Sequence, residues 1–354
     1  SFLRRTRVPP LVALDIRAMI AANNVATARL HDVVRQYGAD VVHATMAQRI
    51  DYTETQLRDR LRQLPDGTWR HVHLYEVSMT GDRTVHKVIV SMTKEGDRLT
   101  FDATESDPQS GYFNVTRPVF QAGLVTAIMP LLCGDLPWAS GAILRVVDFR
   151  FKPGTIASAQ FPAAVSGGTT TAAWCGINSA TILISKMLAA GPEKLKRSLL
   201  AVSNAAWLLE VIAGIGKDGQ PMITVSLDQS AGGIGARSWR DGDDTGGMLL
   251  SPACQIANIE TQEWHFPVLF LFRRELRDSG GPGRFRGGVG AEEAFIPHDT
   301  PTPISTVCSA FGIAAPNGDG LCGFWPFMAA AAKEGVRLVA FDLCGYGGSQ
   351  CAPG

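Results

Sequence analysis

Apolar residues recur at helical spacing near the N-terminus: Ile16, Met19, Ile20, Ala26, Leu30, Val33, Val34 and Tyr37 lie within residues 14–37, and Gly38 closes the run. A second helical stretch, about 39–64, carries Tyr52, Leu57 and Leu61 and stops at Pro65, Asp66 and Gly67. Two long helices meeting at a glycine predict a helical hairpin. The apolar period then shortens to that of a strand. "TWRHVHLYEVSM", "TVHKVIVSM" and "LTFDAT", separated by the turns "TGDR" and "TKEGDR", predict an antiparallel meander. Residues 118–132 return to an apolar helical pattern, residues 142–151 read as a strand, and "SGGTTTAAW" leads into a helix over 172–190. Beyond Gly219, strands and glycine-rich loops follow one another up to about residue 307. Helices and strands stand in blocks rather than in βαβ alternation, which predicts an α+β fold: a helical hairpin, then antiparallel sheet blocks with interspersed helices and Gly-rich loops. The expected regions are a hairpin over 1–67, a mixed α+β part over 68–210, and a β-rich part with an irregular tail over 211–354.

Composition narrows the function classes. With 354 residues, 45% hydrophobic and 19% charged, the chain can bury a substantial core. Lys+Arg and Asp+Glu balance at 33 each, so no net field draws nucleic acid or an anionic membrane, and neither is expected as a partner. No continuous apolar run reaches the roughly 18–20 residues of a membrane span. The opening "SFLRRTRVPPLVALD" lacks the apolar core and cleavage site of a signal peptide. The seven cysteines are odd in number, and no two form a CxxC pair. Neither a disulfide framework nor a zinc site is expected, and a reducing, cytoplasmic setting is.

The chain contains no GxxxxGK[ST] phosphate loop, no GxSxG elbow and no HExxH. Use of a nucleotide would therefore call for an unusual site or another subunit. Three segments remain as candidates. In "RDSGGPGRFRGGVG", residues 277–290, Gly281 and Gly283 flank Pro282, while Arg284 and Arg286 point the same way if the chain is extended there. Such a pair could clamp a carboxylate or phosphate beside exposed amides. The alternative is a compact structural turn with Asp278 paired to one of those arginines. In "FPAAVSGGTTTAAW", residues 161–174, Ser166, Gly167, Gly168, Thr169 and Thr170 could present amides and hydroxyls to an anion, or simply cap a helix. In "SAGGIGARSWRDGDDTGG", residues 230–247, Asp241, Asp243 and Asp244 resemble a hard-cation loop but lack EF-hand length, so a solvated turn competes. His71 and His73 share a strand face and could ligate a metal or pack. Glu263 could orient His265 in "NIETQEWHFP".

These motifs, taken in order, resemble the hydantoinase B family, which also holds the corresponding half of 5-oxoprolinase and the large subunit of acetone carboxylase. The resemblance rests on "RTRVPPLVALDIRAMIAAN" at 5–23, "LRQLPDG" at 61–67, "FDATESDPQSGYFN" at 101–114 and "GGIGAR" at 232–237. Above all it rests on "NIETQEWHFPVLFLFRRELRDSGGPGRFRGGVG" at 258–290. The set covers roughly residues 5–325. Family proteins are much longer, and this sequence begins partway along their pattern. After "GLCGFWPF", the tail "EGVRLVAFDLCGYGGSQCAPG" departs from the family and faintly resembles an α/β-hydrolase strand and loop without the nucleophile motif.

The resemblance implies ATP-dependent opening of a cyclic amide, in a cytoplasmic hetero-oligomer. An actin-like hydantoinase A-type subunit would bind ATP and phosphorylate the ring amide oxygen, and the hydantoinase B component would direct water to the activated carbon. A divalent metal is part of the family picture, but its ligands lie upstream and none can be carried onto this chain. Arg284, Arg286, Asp278, Glu263 and His265 are the catalytic candidates on residue chemistry. Ser166, Gly167, Gly168, Thr169, Thr170, Gly281 and Gly283 are the substrate or anion-binding candidates. A component of an acetone-carboxylase-type ketone carboxylase and a non-catalytic scaffold or fragment are the alternatives.

Overall fold

The computed structural model describes residues 2–6, 9–76, 84–168, 172–201, 203, 208–230, 232–248, 251–252, 258–300 and 305–308. A short 3₁₀ turn, Leu3–Arg5, precedes helices α1 (Pro9–Tyr37) and α2 (Ala39–Leu61), which meet at Gly38. That residue has φ +86°, a conformation costly for any side chain. Only α2 joins the body. Its Thr53, Leu57 and Leu61, four apart, are buried, whereas α1 buries none of its residues and leaves Leu14, Met19, Ile20, Leu30 and Tyr37 exposed. Ion pairs hold α2 down: Arg58 reaches Glu54 at 2.9 Å and Asp97 at 3.1 Å, and Arg60 grips Asp135 bidentately at 2.8 Å through each nitrogen.

Strands β1 (Gly67–Glu76), β2 (Val85–Glu95) and β3 (Arg98–Asp102) form the expected antiparallel meander. Helix α3 (Arg117–Leu132) follows as the periodicity predicts. The strand expected over 142–151 is half right. Residues 140–146 coil as α4 (Ser140–Val146), whose Ala142, Ile143 and Val146 fit a helical buried face, and only β4 (Val147–Arg150) is extended. β4 pairs with β3 in parallel, so the sheet, in order β1-β2-β3-β4, is mixed. Val88, Val90 and Met92 of β2 and Leu99 and Phe101 of β3 are fully buried or nearly so. They join one core with α2, α3 and α5 (Ala172–Ala189).

α5 packs on β1 and β2 on one side and on α3 on the other. The α3 contact is close because Gly123 has no side chain: a Cβ there would lie 2.7 Å from the Ala173 carbonyl oxygen. By length and mean hydropathy both α1 and α5 could cross a membrane, contrary to the sequence expectation, because their few charges are dispersed among apolar residues. In α5, 89% of that apolar window is buried inside the protein, as in the core helix of a globular domain.

After the short α6 (Glu193–Lys196) the chain turns to β5 (Leu208–Ile215) and β6 (Pro221–Ser230), which pair antiparallel. Next come β7 (Gly247–Met248), β8 (Ser251–Pro252), α7 (Ile259–His265), β9 (Val268–Glu275), β10 (Ala291–Pro297) and β11 (Ser305–Cys308). β11 completes a three-stranded sheet in the order β11-β5-β6, and β9 pairs with β10. A second, smaller core gathers Ile212, Val268 and Phe270. Beside it, Arg273 and Glu293 form a buried ion pair at 2.8 Å, and Arg273 also donates to Gln262 of α7 at 2.8 Å, tying helix to hairpin. These helices and sheets are an α+β fold. The tail after residue 308 lies outside the described residues.

His71 and His73 face α5 from β1. Burial pushes the His71 pKa down to about 4, with the Lys186 charge adding to it, and burial pushes His73 down to about 3. In the unfolded chain both take a proton near pH 6.5, so the unfolded state gains protons that the fold refuses. Stability is complete above that pH and declines as pH falls toward 4. The urea midpoint is expected to drop between pH 7 and pH 4.5, and His73→Phe should flatten that drop. Parallel pH curves for variant and parent would show that His73 is protonated in the folded state.

Candidate functional site

The glycine-rich run and the acidic run, separate in sequence, fold into one interlocked unit. The Gly288 amide donates to the Ile234 carbonyl at 2.9 Å, the Ile234 amide to Asp243 at 3.0 Å, and the Gly242 amide to Arg286 at 2.8 Å. Thr245 donates to Val289 at 2.8 Å, and Gly287 back to Gly281 at 2.9 Å. The backbones approach too closely for side chains. A Cβ on Gly288 would meet the Asp243 carbonyl oxygen at 2.0 Å, and one on Gly242 would meet the Ile234 oxygen at 1.9 Å. Gly233, Gly242 and Gly288 are the glycines this contact requires.

Acids latch the unit. Asp244 receives the Arg286 guanidinium bidentately at 2.7 and 2.9 Å and the Val289 amide at 2.9 Å, and the guanidinium holds its carboxyl below the usual range. Asp241 accepts the Arg286 amide at 2.9 Å, and Asp243 pairs with Arg237 at 3.1 Å and Arg240 at 3.0 Å. The acidic run is therefore neither a cation loop nor a merely solvated turn. The expected arginine pair also divides. Arg286 is committed to Asp244, while Arg284 stacks beside Phe285 on the other side of the loop, 5.5 Å from its ring centroid. Asp278 pairs with neither, and its partner is Arg277 at 3.5 Å, both side chains being almost fully exposed.

Arg284 faces a cleft of about 580 Å³. One wall is α5, with Ile182, Ser185 and Lys186; another is Leu199 and Leu200; the Gly-rich unit supplies Gly235, Arg237, Gly281, Pro282 and Phe285. Ser185 fixes two walls together, its hydroxyl donating to the Leu200 carbonyl at 2.7 Å. Gly281 thus lines the cleft as part of the loop wall, and Gly283 turns the chain next to it, where a Cβ would lie 2.9 Å from the Phe285 oxygen. Asp278 and Arg286 line a separate polar hollow with Asp244 and Glu275.

The other candidates fare differently. The Gly167 amide donates to the Tyr112 carbonyl at 2.9 Å and the Gly168 amide to Val165 at 3.1 Å, so neither is open to an anion. Ser166 is exposed beside them, and Thr169 and Thr170 lie outside the described residues. What organises this loop is Asn114, the last residue of the motif at 101–114. Buried, it accepts from the Ser110 amide at 2.7 Å and donates to Ala164 at 3.0 Å. Glu263 does not orient His265. Two apart on α7 they point to different faces; the carboxylate accepts the Phe270 amide at 2.7 Å and the imidazole stacks on Trp264, with centroids 5.3 Å apart. Among the described residues no three His, Cys, Asp or Glu side chains converge as metal ligands. Lys186, now a wall of the cleft, carried no sequence signal beyond its place in the last turn of a helix.

The family model described as Hydantoinase B/oxoprolinase matches residues 1–320, and the chain belongs to this family. The acetophenone carboxylase delta subunit of Aromatoleum aromaticum is 26% identical over 83% of this chain and 43% of its own length. A D-/L-hydantoinase B component from a Pseudomonas species is 28% identical over 82% and 49%, and the beta chain of the caprolactamase of Pseudomonas jessenii is 28% identical over 80% and 48%. The nucleotide-free structure of ATP-dependent acetone carboxylase superposes with a TM-score of 0.74 at 19% identity, over 83% of this chain and 40% of that one. The chain therefore spans about half the length of the curated relatives it matches.

The interlock predicts unequal costs. Gly288→Ala should lose about 3 kcal/mol in chemical denaturation, because backbone on both sides must move. Asp244→Asn should lose only about 1 kcal/mol, since the pair with Arg286 is partly open to water. Equal losses would mean the latch, not the close approach, holds the loop.

Proposed function

We propose that this chain is the ring-opening half of an ATP-dependent cyclic-amide hydrolase. The observation that carries this reading is the pair of relatives named as hydantoinase and caprolactamase components, each 28% identical over about four-fifths of this chain. An unstrained ring amide resists water because resonance weakens the carbonyl electrophile and nitrogen leaves poorly. Phosphorylating the amide oxygen removes that resonance and makes the carbon electrophilic, which is why such a reaction takes ATP. The proposal places ATP on a partner chain, an actin-like A-type subunit, and the hydrolysis on this one, in the cytoplasm. Of the residues singled out by sequence, Arg284 and Gly281 remain the best placed to face a ligand. Arg286 supports them from Asp244.

A second reading is favoured by the acetophenone carboxylase delta subunit, which aligns over a similar share of this chain. There the same activation would serve C–C bond formation with a carboxylating agent.

The deciding experiment measures ATP-dependent opening of hydantoin, caprolactam and 5-oxoproline by this chain alone and co-expressed with an A-type partner. Activity confined to the complex is expected, with Arg284→Ala lowering it about tenfold or more. Bicarbonate-dependent consumption of a ketone, with no lactam opened, would replace the hydrolase reading by the carboxylase one. Full coupled activity in Arg284→Ala would remove the role given to that arginine.

A further inference from the structure

The cleft beside the Gly-rich unit has an uneven distribution of charge. Its walls are largely apolar, from Ile182, Leu199, Leu200, Pro282 and Phe285. Three cations, Lys186, Arg237 and Arg284, line it, and no carboxylate does among the described residues. Arg237 is paired with Asp243 at 3.1 Å, a carboxylate it shares with Arg240. Lys186 and Arg284 have no ion-pair partner among the described residues, where Arg284 only flanks the Phe285 ring. The two come from unrelated parts of the chain, one from the last turn of α5 and one from the Gly-rich loop, and the interlock and the Ser185–Leu200 hydrogen bonds fix both walls. The volume of about 580 Å³ falls within the range of small-molecule sites, roughly 300–1,000 Å³.

We propose that this cleft is a binding site for a small organic carboxylate, its apolar body against Leu199, Leu200 and Phe285 and its carboxylate between Lys186 and Arg284. Two exposed cations over an apolar floor favour a molecule with charge at one end only, over a free inorganic anion or a neutral amide. Under the ring-opening reading, hydrolysis of a hydantoin-type ring releases such a molecule, a carboxylate whose cleaved nitrogen stays in an uncharged ureido group, so the cleft would hold the opened product. The site itself does not depend on that reading.

The test uses the intact chain with three probes: hexanoate, its neutral counterpart hexanamide, and inorganic phosphate, titrated by calorimetry and by amide shifts in NMR. Hexanoate is expected to bind at least tenfold more tightly than hexanamide, with shifts at residues 182–186 and 281–287. Lys186→Gln and Arg284→Gln should each weaken hexanoate about three- to tenfold while leaving the thermal midpoint unchanged. Equal affinity for hexanoate and hexanamide, or undiminished hexanoate binding in both variants, would overturn the proposal. Phosphate binding as tightly as hexanoate would overturn it in favour of a bare oxyanion site. None of these outcomes depends on lactam turnover, so failure of the ring-opening assay and failure of this site are separately visible.

Discussion

Backbone touching backbone is the constraint on which the second half of the molecule rests. Where residues 233–235, 242–245 and 286–289 cross, amides and carbonyls exchange hydrogen bonds at 2.8–3.0 Å, and Cβ atoms on Gly242 and Gly288 would come within about 2 Å of carbonyl oxygens. Such a crossing admits only glycine at those points, and it satisfies in one place many polar backbone groups that a long loop would otherwise expose. The Asp244–Arg286 pair and the Asp243 pairs with Arg237 and Arg240 surround the crossing with charge-assisted bonds. Rigidity there sets where Arg284 and Phe285 lie, and hence the shape of one cleft wall.

The other wall is set by the main core. α5 is fixed between the mixed sheet and α3, with close approach at Gly123 and an almost wholly buried surface through Leu188. Its last turn emerges from that packing, which brings Lys186 to the cleft and its charge near His71. The cleft therefore joins an element held by apolar burial to one held by backbone hydrogen bonding. A ligand that bridged them would report on both.

Membership of the Hydantoinase B/oxoprolinase family gives this architecture a chemical setting without choosing the reaction. The relatives named as a carboxylase and a caprolactamase align over similar shares of this chain, 83% and 80%. That is physically reasonable, because both chemistries gain from raising the energy of a poor electrophile or nucleophile before a second step. The fold seen here is shared with solved structures of an acetone carboxylase and a caprolactamase.

By itself the sequence determined what local spacing can determine. The apolar period located α1, α2, α3 and α5, the alternation located the β1–β3 meander, and the ordered glycine and acidic motifs carried the family resemblance. Spacing erred over 142–151, where a short apolar stretch satisfies either period and burial of Ala142, Ile143 and Val146 together selected the helix. Tertiary structure alone decided the partners. Arg284 and Arg286 look equivalent in sequence, yet an aspartate some forty residues earlier claims one and leaves the other to the cleft. Glu263 turns from its sequence neighbour His265 to an amide of β9, and the Gly167 and Gly168 amides are taken by carbonyls. Local pattern limits a residue to a face of its own element; which group meets it there depends on how distant segments pack, and that packing has no period along the chain.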